Sequence, residues 1–115
     1  MSMQGKIWGE TTEFFKTDFI SAHYLKIKAG GYCSEHRHNK KSNLFFVLSG
    51  SLEIQIWREK NQIDTTILGP GQMSEVPPEV YHKFAAHEDC ECIEIYQVKL
   101  QDPDIERRDK GGLKK

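Results

Sequence analysis

Hydrophobic and polar residues alternate with a period of two along most of the chain, a pattern typical of half-buried β-strands. In residues 51–57 every second residue from Leu52 to Ile56 is aliphatic, and the residues between them are larger or polar. Further strands are predicted at residues 23–29, 43–48, 63–68, 73–76, 81–86 and 90–100, with turns between them. Strands that recur every 8 to 12 residues or so favour an antiparallel sandwich or barrel. The pattern therefore predicts an all-β fold.

The length of 115 residues corresponds to one domain with a core of its own. No stretch has the composition of an interdomain linker, so we expect a single domain over residues 1–115. The end of the chain lacks the alternation. Residues 105–110 are expected to form at most one helical turn, and residues 111–115 a frayed tail.

Charge and cysteine content indicate which partners and which cellular compartment to expect. With 16 basic and 17 acidic residues the net charge is −1, so we expect neither a nucleic-acid nor a membrane partner. No apolar run approaches the roughly 20 residues of a membrane span, and the first residues lack the apolar region of a signal peptide. Three cysteines argue against a disulfide framework, and we expect buried or half-buried thiols in a cytoplasmic protein.

The five histidines carry the clearest chemical signal. His36 and His38 are two positions apart, which on a strand directs both imidazoles to one face and begins a metal site. A pair of this kind also occurs by chance in loops. His23 and His87 lie away from the other histidines, and both are expected at the surface.

The surrounding residues resemble the two-part signature of the cupin superfamily. That signature is G-x5-H-x-H-x4-E-x6-G followed by G-x5-P-x-G-x2-H, and here it spans residues 30–82. The matching residues are Gly30, His36, His38, Gly50, Gly71, Pro77 and His82. Two positions depart, because Asn43 stands where the family has Glu and Glu79 where it has Gly. The resemblance implies a double-stranded β-helix, or jelly-roll (cupin) barrel, with a metal in its mouth.

The resemblance also implies the ligand set His36, His38, His82 and Asn43. Three neutral imidazoles with open positions suit one divalent transition metal, namely Zn, Fe, Mn, Ni or Cu. The role of Asn43 has two interpretations. Its amide is either a weak neutral ligand, which leaves the metal its full charge, or a hydrogen-bond partner beside a three-histidine site.

Strand alternation extends the predicted site along its walls. Phe45 shares the face of Asn43, and Phe84 shares the face of His82. On the last strand Glu94 and Tyr96 share one face. Glu94 is a candidate general base if that face is internal. Composition instead favours Ile93 and Ile95 in the core with Glu94 in solvent, whereas the family pattern places Glu94 inside.

Features outside the signature are similar to the cupin domain of type II mannose-6-phosphate isomerases and small stand-alone cupins. They are Trp8-Gly9, the turn 47–50, the run 93–96 and the tail 103–109. In the tail, Arg107 is a candidate contact for a substrate phosphate. His36 and Asn43 differ from that branch, which has Gln and Glu, and its terminal Tyr-Gly-Arg is replaced at residues 111–113.

Three functions remain open from these residues. A metal-dependent sugar-phosphate isomerase or epimerase is placed first, with Glu94 as the base and Phe45, Phe84, Tyr96 and Arg107 as substrate contacts. A three-histidine dioxygenase is suggested by the missing carboxylate. A cupin that only binds a sugar or another small molecule is the third. In each case we expect a homodimer, which would cover an exposed strand edge.

Overall fold

The computed structural model describes residues 2–59 and 62–98, and within them the chain is all-β. The strands are β1 (Ser2–Lys6), β2 (Gly9–Lys16), β3 (Ile20–Ile27), β4 (Lys41–Ser49), β5 (Leu52–Trp57), β6 (Ile63–Leu68), β7 (Met73–Val76), β8 (His82–Ala85) and β9 (Cys90–Val98). Strands β3 to β9 confirm the predicted ones to within a few residues. Strands β1 and β2 were not predicted. The predictions for residues 105–110 and 111–115, and for Arg107, lie outside the described residues.

Two antiparallel sheets form the jelly roll. The larger sheet has the order β1-β2-β3-β9-β4-β7, and the smaller has the order β6-β5-β8. Strand β9 pairs with β3 on one side and with β4 on the other, so the end of the described chain lies at the centre of the larger sheet. The fold class predicted from the alternation is thus confirmed.

The core lies between the inner faces of the two sheets. Burial alternates strictly along β5, as its sequence predicts, and Leu52 and Ile54 are almost fully buried. On β4 the inward residues are Asn43, Phe45 and Val47, so the predicted shared face is confirmed. The other main core residues are Leu25, Ile27, Cys33, Leu68, Val76, Phe84, Cys90 and Cys92.

Strands β1 and β2 form a hairpin at one edge of the larger sheet. Its turn carries Trp8, whose ring packs edge-on against Phe84 at 5.1 Å between centroids. The Trp8 carbonyl accepts a hydrogen bond of 2.8 Å from the Lys28 amide. At Gly9 a Cβ would lie 1.9 Å from the Lys26 carbonyl oxygen, so only glycine permits this approach. The Trp-Gly pair therefore anchors the hairpin turn against β3 and against Phe84 of the smaller sheet.

No helix in the described residues is long and apolar enough to cross a membrane.

Candidate metal centre and ligand cavity

The two halves of the histidine motif are joined through their backbones. The His36 amide donates to the His82 carbonyl at 3.0 Å, and the His82 amide donates back at 2.8 Å. His36 and His38 were predicted on a strand, but they lie in an extended segment between β3 and β4 that has a single bridge from His36 to His82. Alternation still applies to that segment, and the side chains of both histidines turn towards His82.

The imidazole nitrogens of His36, His38 and His82 form one compact cluster, the histidine trio. Their candidate ligand atoms all lie within 4.8 Å of one another. The Nδ1 atoms of His36 and His82 lie 2.6 Å from the Ser34 carbonyl and 3.0 Å from the Val80 carbonyl. Because a carbonyl only accepts, each Nδ1 donates a proton and each Nε2 keeps its lone pair. His36 and His82 therefore present the tautomers that bind a metal through Nε2.

Two polar atoms at the trio are buried without a hydrogen-bond partner among the described residues. They are His38 Nε2 and Asn43 Oδ1. A buried nitrogen or oxygen that is left unpaired is costly, and such groups normally have a partner, a water or an ion. An imidazole nitrogen is a good metal donor and an amide oxygen a weaker one, so the residues present fit a divalent transition metal.

Burial favours the neutral form of His38 and His82. It lowers the pKa of His82 to about 4, against an opposing hydrogen bond to the Val80 carbonyl. The pKa of His38 is also lowered, by burial first and then by His36 and Lys41. A neutral imidazole is the form that ligates a metal, so the lowered pKa values of His38 and His82 favour metal binding at physiological pH.

Asn43 and Glu94 lie directly beside the trio. The Asn43 side-chain amide donates to Glu94 Oε2 at 3.2 Å and lies 3.5 Å from His82 Nε2. In this arrangement Asn43 acts as a hydrogen-bond partner. Asn43 Oδ1 has no hydrogen-bond partner among the described residues, so binding of a metal by this atom stays a prediction.

Glu94 is inside the barrel, with only 6% of its surface exposed. The composition argument that placed Ile93 and Ile95 in the core and Glu94 in solvent was wrong, since both isoleucines are only partly buried. Burial raises the pKa of Glu94 to about 7, and hydrogen bonds from Tyr96 and Asn43 oppose the rise. A carboxyl with this pKa exchanges protons near neutral pH.

Of the aromatic residues predicted as substrate contacts, Phe84 and Tyr96 lie at the cavity and Phe45 lies in the core. The Tyr96 ring lies 5.2 Å from that of His38, and burial followed by the neighbouring Glu94 raises the pKa of the phenol. Phe84 and Tyr96 both line the cavity in front of the trio. Phe45 is 1% exposed and packs behind Phe84 at 6.1 Å, so it supports the wall from the core.

That cavity has a volume of about 880 Å³, the size of a small-molecule site. His36, Glu94 and Tyr96 contribute to one part of its lining, and Trp8 and Tyr32 add aromatic surface. Lys6 and Lys28 also line it, and Glu94 is the one acidic residue among the described lining residues.

Comparison with known proteins identifies the family. The sequence profile of the cupin domain matches residues 23–96, more than half of the chain. This chain is a cupin. No curated protein matches it.

Solved structures share the cupin fold at low sequence identity. KdgF from Halomonas sp. aligns with a TM-score of 0.74 and 18% identity, covering 88% of this cupin and 89% of that chain. Oxalate decarboxylase from Bacillus subtilis aligns with a TM-score of 0.76 and 18% identity, but this cupin covers only 27% of that chain and 84% of its own. The Cnp3 cupin domain from Schizosaccharomyces pombe has a TM-score of 0.73 and 15% identity, over 86% and 69% of the two chains.

The unusual Glu79 of this cupin occupies a left-handed backbone position. Its φ is 66°, and its amide donates to the His38 carbonyl at 2.6 Å. Glycine adopts this conformation without strain, which explains physically why the signature has Gly there. The contact between Glu79 and His38 is a second backbone link between the motif halves.

One surface assignment from the sequence was correct and one was wrong. His87 is exposed, 3.4 Å from Glu53, as expected. His23 instead lines the cavity, together with Thr11 on β2. Alternation could have found it, because His23 shares parity with Leu25 and Ile27, which are both buried. The three cysteines are buried and free, as predicted.

Proposed function

We propose that this cupin is a metal-dependent enzyme that isomerises or epimerises a small sugar phosphate. One observation carries the proposal. The Glu94 carboxyl, with its pKa near 7, is linked through Asn43 to the histidine trio, and Glu94 and His36 line the same cavity. Such a pairing of a proton-transfer group with a metal site is what a carbonyl–hydroxyl rearrangement requires.

The metal would be held by His36, His38 and His82. When bound, it would supply Lewis-acid polarisation of a substrate carbonyl or hydroxyl oxygen. Zn, Fe, Mn, Ni and Cu all suit an imidazole set. Manganese has support from the oxalate decarboxylase of similar fold, which is described as having Mn(II) centres.

Glu94 would move the proton. As the carboxylate it takes a proton from the hydroxyl-bearing carbon next to the substrate carbonyl, which leaves an enediolate. The hydroxyl proton then passes to the former carbonyl oxygen, and Glu94 as the acid returns its proton to the former carbonyl carbon, so atoms and charge balance. Asn43 holds Oε2 of Glu94 in place at 3.2 Å. Phe84 and Trp8 restrict water on the apolar side of the cavity, which strengthens the interactions of Glu94 with a bound molecule.

The charges of the cavity favour an anion. Lys6 and Lys28 line it, and a bound divalent ion would add further positive charge. The phosphate contact predicted at Arg107 lies outside the described residues and stays part of the proposal. An anionic sugar phosphate therefore fits better than a neutral sugar.

The test is a coupled assay on mannose 6-phosphate with the protein loaded separately with each metal. We expect turnover that falls at least a hundredfold in Glu94→Gln, consistent with the ~10²–10⁴-fold typical of general acid–base groups. His82→Ala should lose both the metal and the activity, whereas His87→Ala should keep both. If no metal supports turnover of mannose 6-phosphate or its epimers, the isomerase assignment is wrong.

A three-histidine dioxygenase is the second candidate. It is favoured by the absence of a carboxylate from the trio, where the fourth position is an amide, Asn43. Oxygen consumption by the Fe(II)-loaded protein with thiol and diketone substrates tests it. Ligand retention without turnover in both assays would instead indicate a cupin that only binds a small molecule.

We further propose a homodimer formed through the outer face of the larger sheet. Leu44, Phe46, Ile93 and Ile95 are neighbours on that face and are only partly buried within one chain. Light scattering should give twice the mass of one chain, and Phe46→Lys should return it to the monomer mass. The three free buried thiols support the predicted reducing, cytoplasmic setting.

A further inference from the structure

A second polar cluster lies on the inner face of the larger sheet. It consists of Thr11 and Glu13 on β2 with Ser21 and His23 on β3. The register pairs Glu13 with His23 and Thr11 with the core residue Leu25, so these side chains share the face of Leu25, and Thr11 and His23 line the cavity. The mechanism proposed above uses none of them.

A chain of hydrogen bonds runs through this cluster from His23 to Ser21 and from Ser21 to Glu13. The Ser21 hydroxyl donates to Glu13 Oε2 at 3.0 Å, and Ser21 Oγ lies 2.7 Å from His23 Nε2. Because the single hydroxyl proton goes to the carboxylate, Oγ can only accept from His23, which must carry its proton on Nε2. His23 Nδ1 is therefore an acceptor, and its neighbour Thr11 Oγ1 stands 3.5 Å away, at the limit of a hydrogen bond.

The position of His23 relates the cluster to the metal centre. Its ring packs edge-on against Tyr96 at 5.5 Å, and the other neighbour of Tyr96 is His38 at 5.2 Å. One aromatic ring thus separates His23 from the trio. His23 and Thr11 line the same cavity as His36 and Glu94. Burial lowers the pKa of His23, against the pull of Glu13, so the acceptor form is maintained.

We propose that His23 Nδ1 and the Thr11 hydroxyl form a second binding pole, which holds a hydroxyl of the ligand whose other end lies at the histidine trio. The inference rests on the proposed function and deepens it. The ligand class becomes a small anion with a hydroxylated carbon chain, because a simple anion would leave His23 and Thr11 unused. Ser21 and Glu13 are positioning residues, which fix the tautomer of His23.

The experiment compares two probes, mannose 6-phosphate and inorganic phosphate, by titration calorimetry on the protein loaded with one divalent metal. The wild type should bind mannose 6-phosphate more tightly. One hydrogen bond contributes up to ~1.5 kcal/mol, so His23→Phe should weaken mannose 6-phosphate about tenfold. Phosphate affinity and metal content should not change. Thr11→Val should act in the same direction by a few fold, and it covers the case in which His23→Phe does not fold.

A matched control and a direct readout complete the design. His87→Phe makes the same replacement at an exposed histidine and should leave both affinities unchanged. In ¹⁵N spectra of the histidine rings, wild-type His23 should show the Nε2–H tautomer. Ser21→Ala should shift it towards a mixture, an effect that loss of packing alone would not produce.

The outcomes separate this inference from the function on which it rests. Binding of neither probe by the wild type would overturn both. Equal affinity for the two probes would overturn the second pole and leave an anion-binding metal site. Retention of the preference for mannose 6-phosphate in both His23→Phe and Thr11→Val would also overturn it.

Discussion

The buried Glu94 makes a specific prediction about stability and pH in the metal-free protein. Its pKa rises from 4.5 to about 7 on folding, chiefly because burial disfavours the charged form. A carboxyl that binds its proton more tightly in the folded state stabilises the fold at low pH. That contribution is complete below about pH 4.5 and is lost as the pH rises towards and beyond 7.

The size of the effect follows from the two values. At about 1.4 kcal/mol per pKa unit, a rise from 4.5 to about 7 corresponds to a loss of about 3 kcal/mol between pH 4.5 and pH 8. Glu94→Gln removes the ionisation and keeps a similar shape. Relative to the wild type, the variant should therefore gain about 3 kcal/mol between the same two pH values, whatever its constant offset.

The pKa shift of His82 changes stability with pH in the opposite direction, so its contribution must be separated from that of Glu94. Burial lowers its pKa from 6.5 to about 4, so its contribution is complete above pH 6.5 and is lost as the pH falls towards 4. The two trends oppose each other between pH 4.5 and 6.5, and the wild-type curve should be shallow there. The difference between Glu94→Gln and the wild type cancels the His82 term and isolates Glu94.

Urea unfolding in the presence of a chelator, at pH 4.5, 6 and 8, measures these free energies. Glu88→Gln, in the exposed turn between β8 and β9, is the matched control for loss of one carboxylate. If the difference between Glu94→Gln and the wild type is the same at all three pH values, Glu94 does not ionise in a buried environment and the reasoning is wrong.

Substitutions at Phe45, Gly50 and Glu79 test the fold by urea unfolding, with Phe14 as a control for Phe45. Phe45→Ala should cost about 3–5 kcal/mol because the ring is 1% exposed, whereas Phe14→Ala, at 46% exposure, should cost less than about 1; similar losses would refute the core assignment. Gly50→Ala should cost more than about 2 kcal/mol, since its Cβ would lie 2.1 Å from the Asp89 carbonyl oxygen, and a neutral effect would contradict that turn. At Glu79, with φ of 66°, a change to Val should cost about 1–2 kcal/mol and a change to Gly should be neutral or stabilising; the reverse order would refute the left-handed backbone.

The sequence predicts strands well where the two faces of a strand differ. Along β5 the aliphatic and polar residues alternate, and burial follows them. Strand β2 has no such contrast, because its inner face carries Thr11, which lines the cavity, and Glu13, which lies opposite His23, instead of apolar core residues. A period-two signal requires an apolar inner face, so the hairpin of β1 and β2 gave none.

The metal centre was predictable because its residues lie in two short motifs with fixed spacing. The second polar cluster was not, since it depends on the register between β2 and β3. That register shifts at a bulge between Glu13 and Phe15, which places Glu13 opposite His23 and Phe15 opposite Ala22. A bulge changes which residues face each other, and nothing in the local sequence marks it.

The wrong prediction for Glu94 and the proposal of a dimer both depend on Ile93 and Ile95. Composition placed Ile93 and Ile95 inside because isoleucine is usually buried. The structure instead places Cys92 and Glu94 inside and leaves the two isoleucines on the outer face, opposite Phe46 and Leu44 on β4. A partly buried apolar outer face is expected where another surface covers it. A second copy of the chain would supply such a cover, so the two isoleucines that the composition argument placed in the core are residues on which the dimer proposal rests.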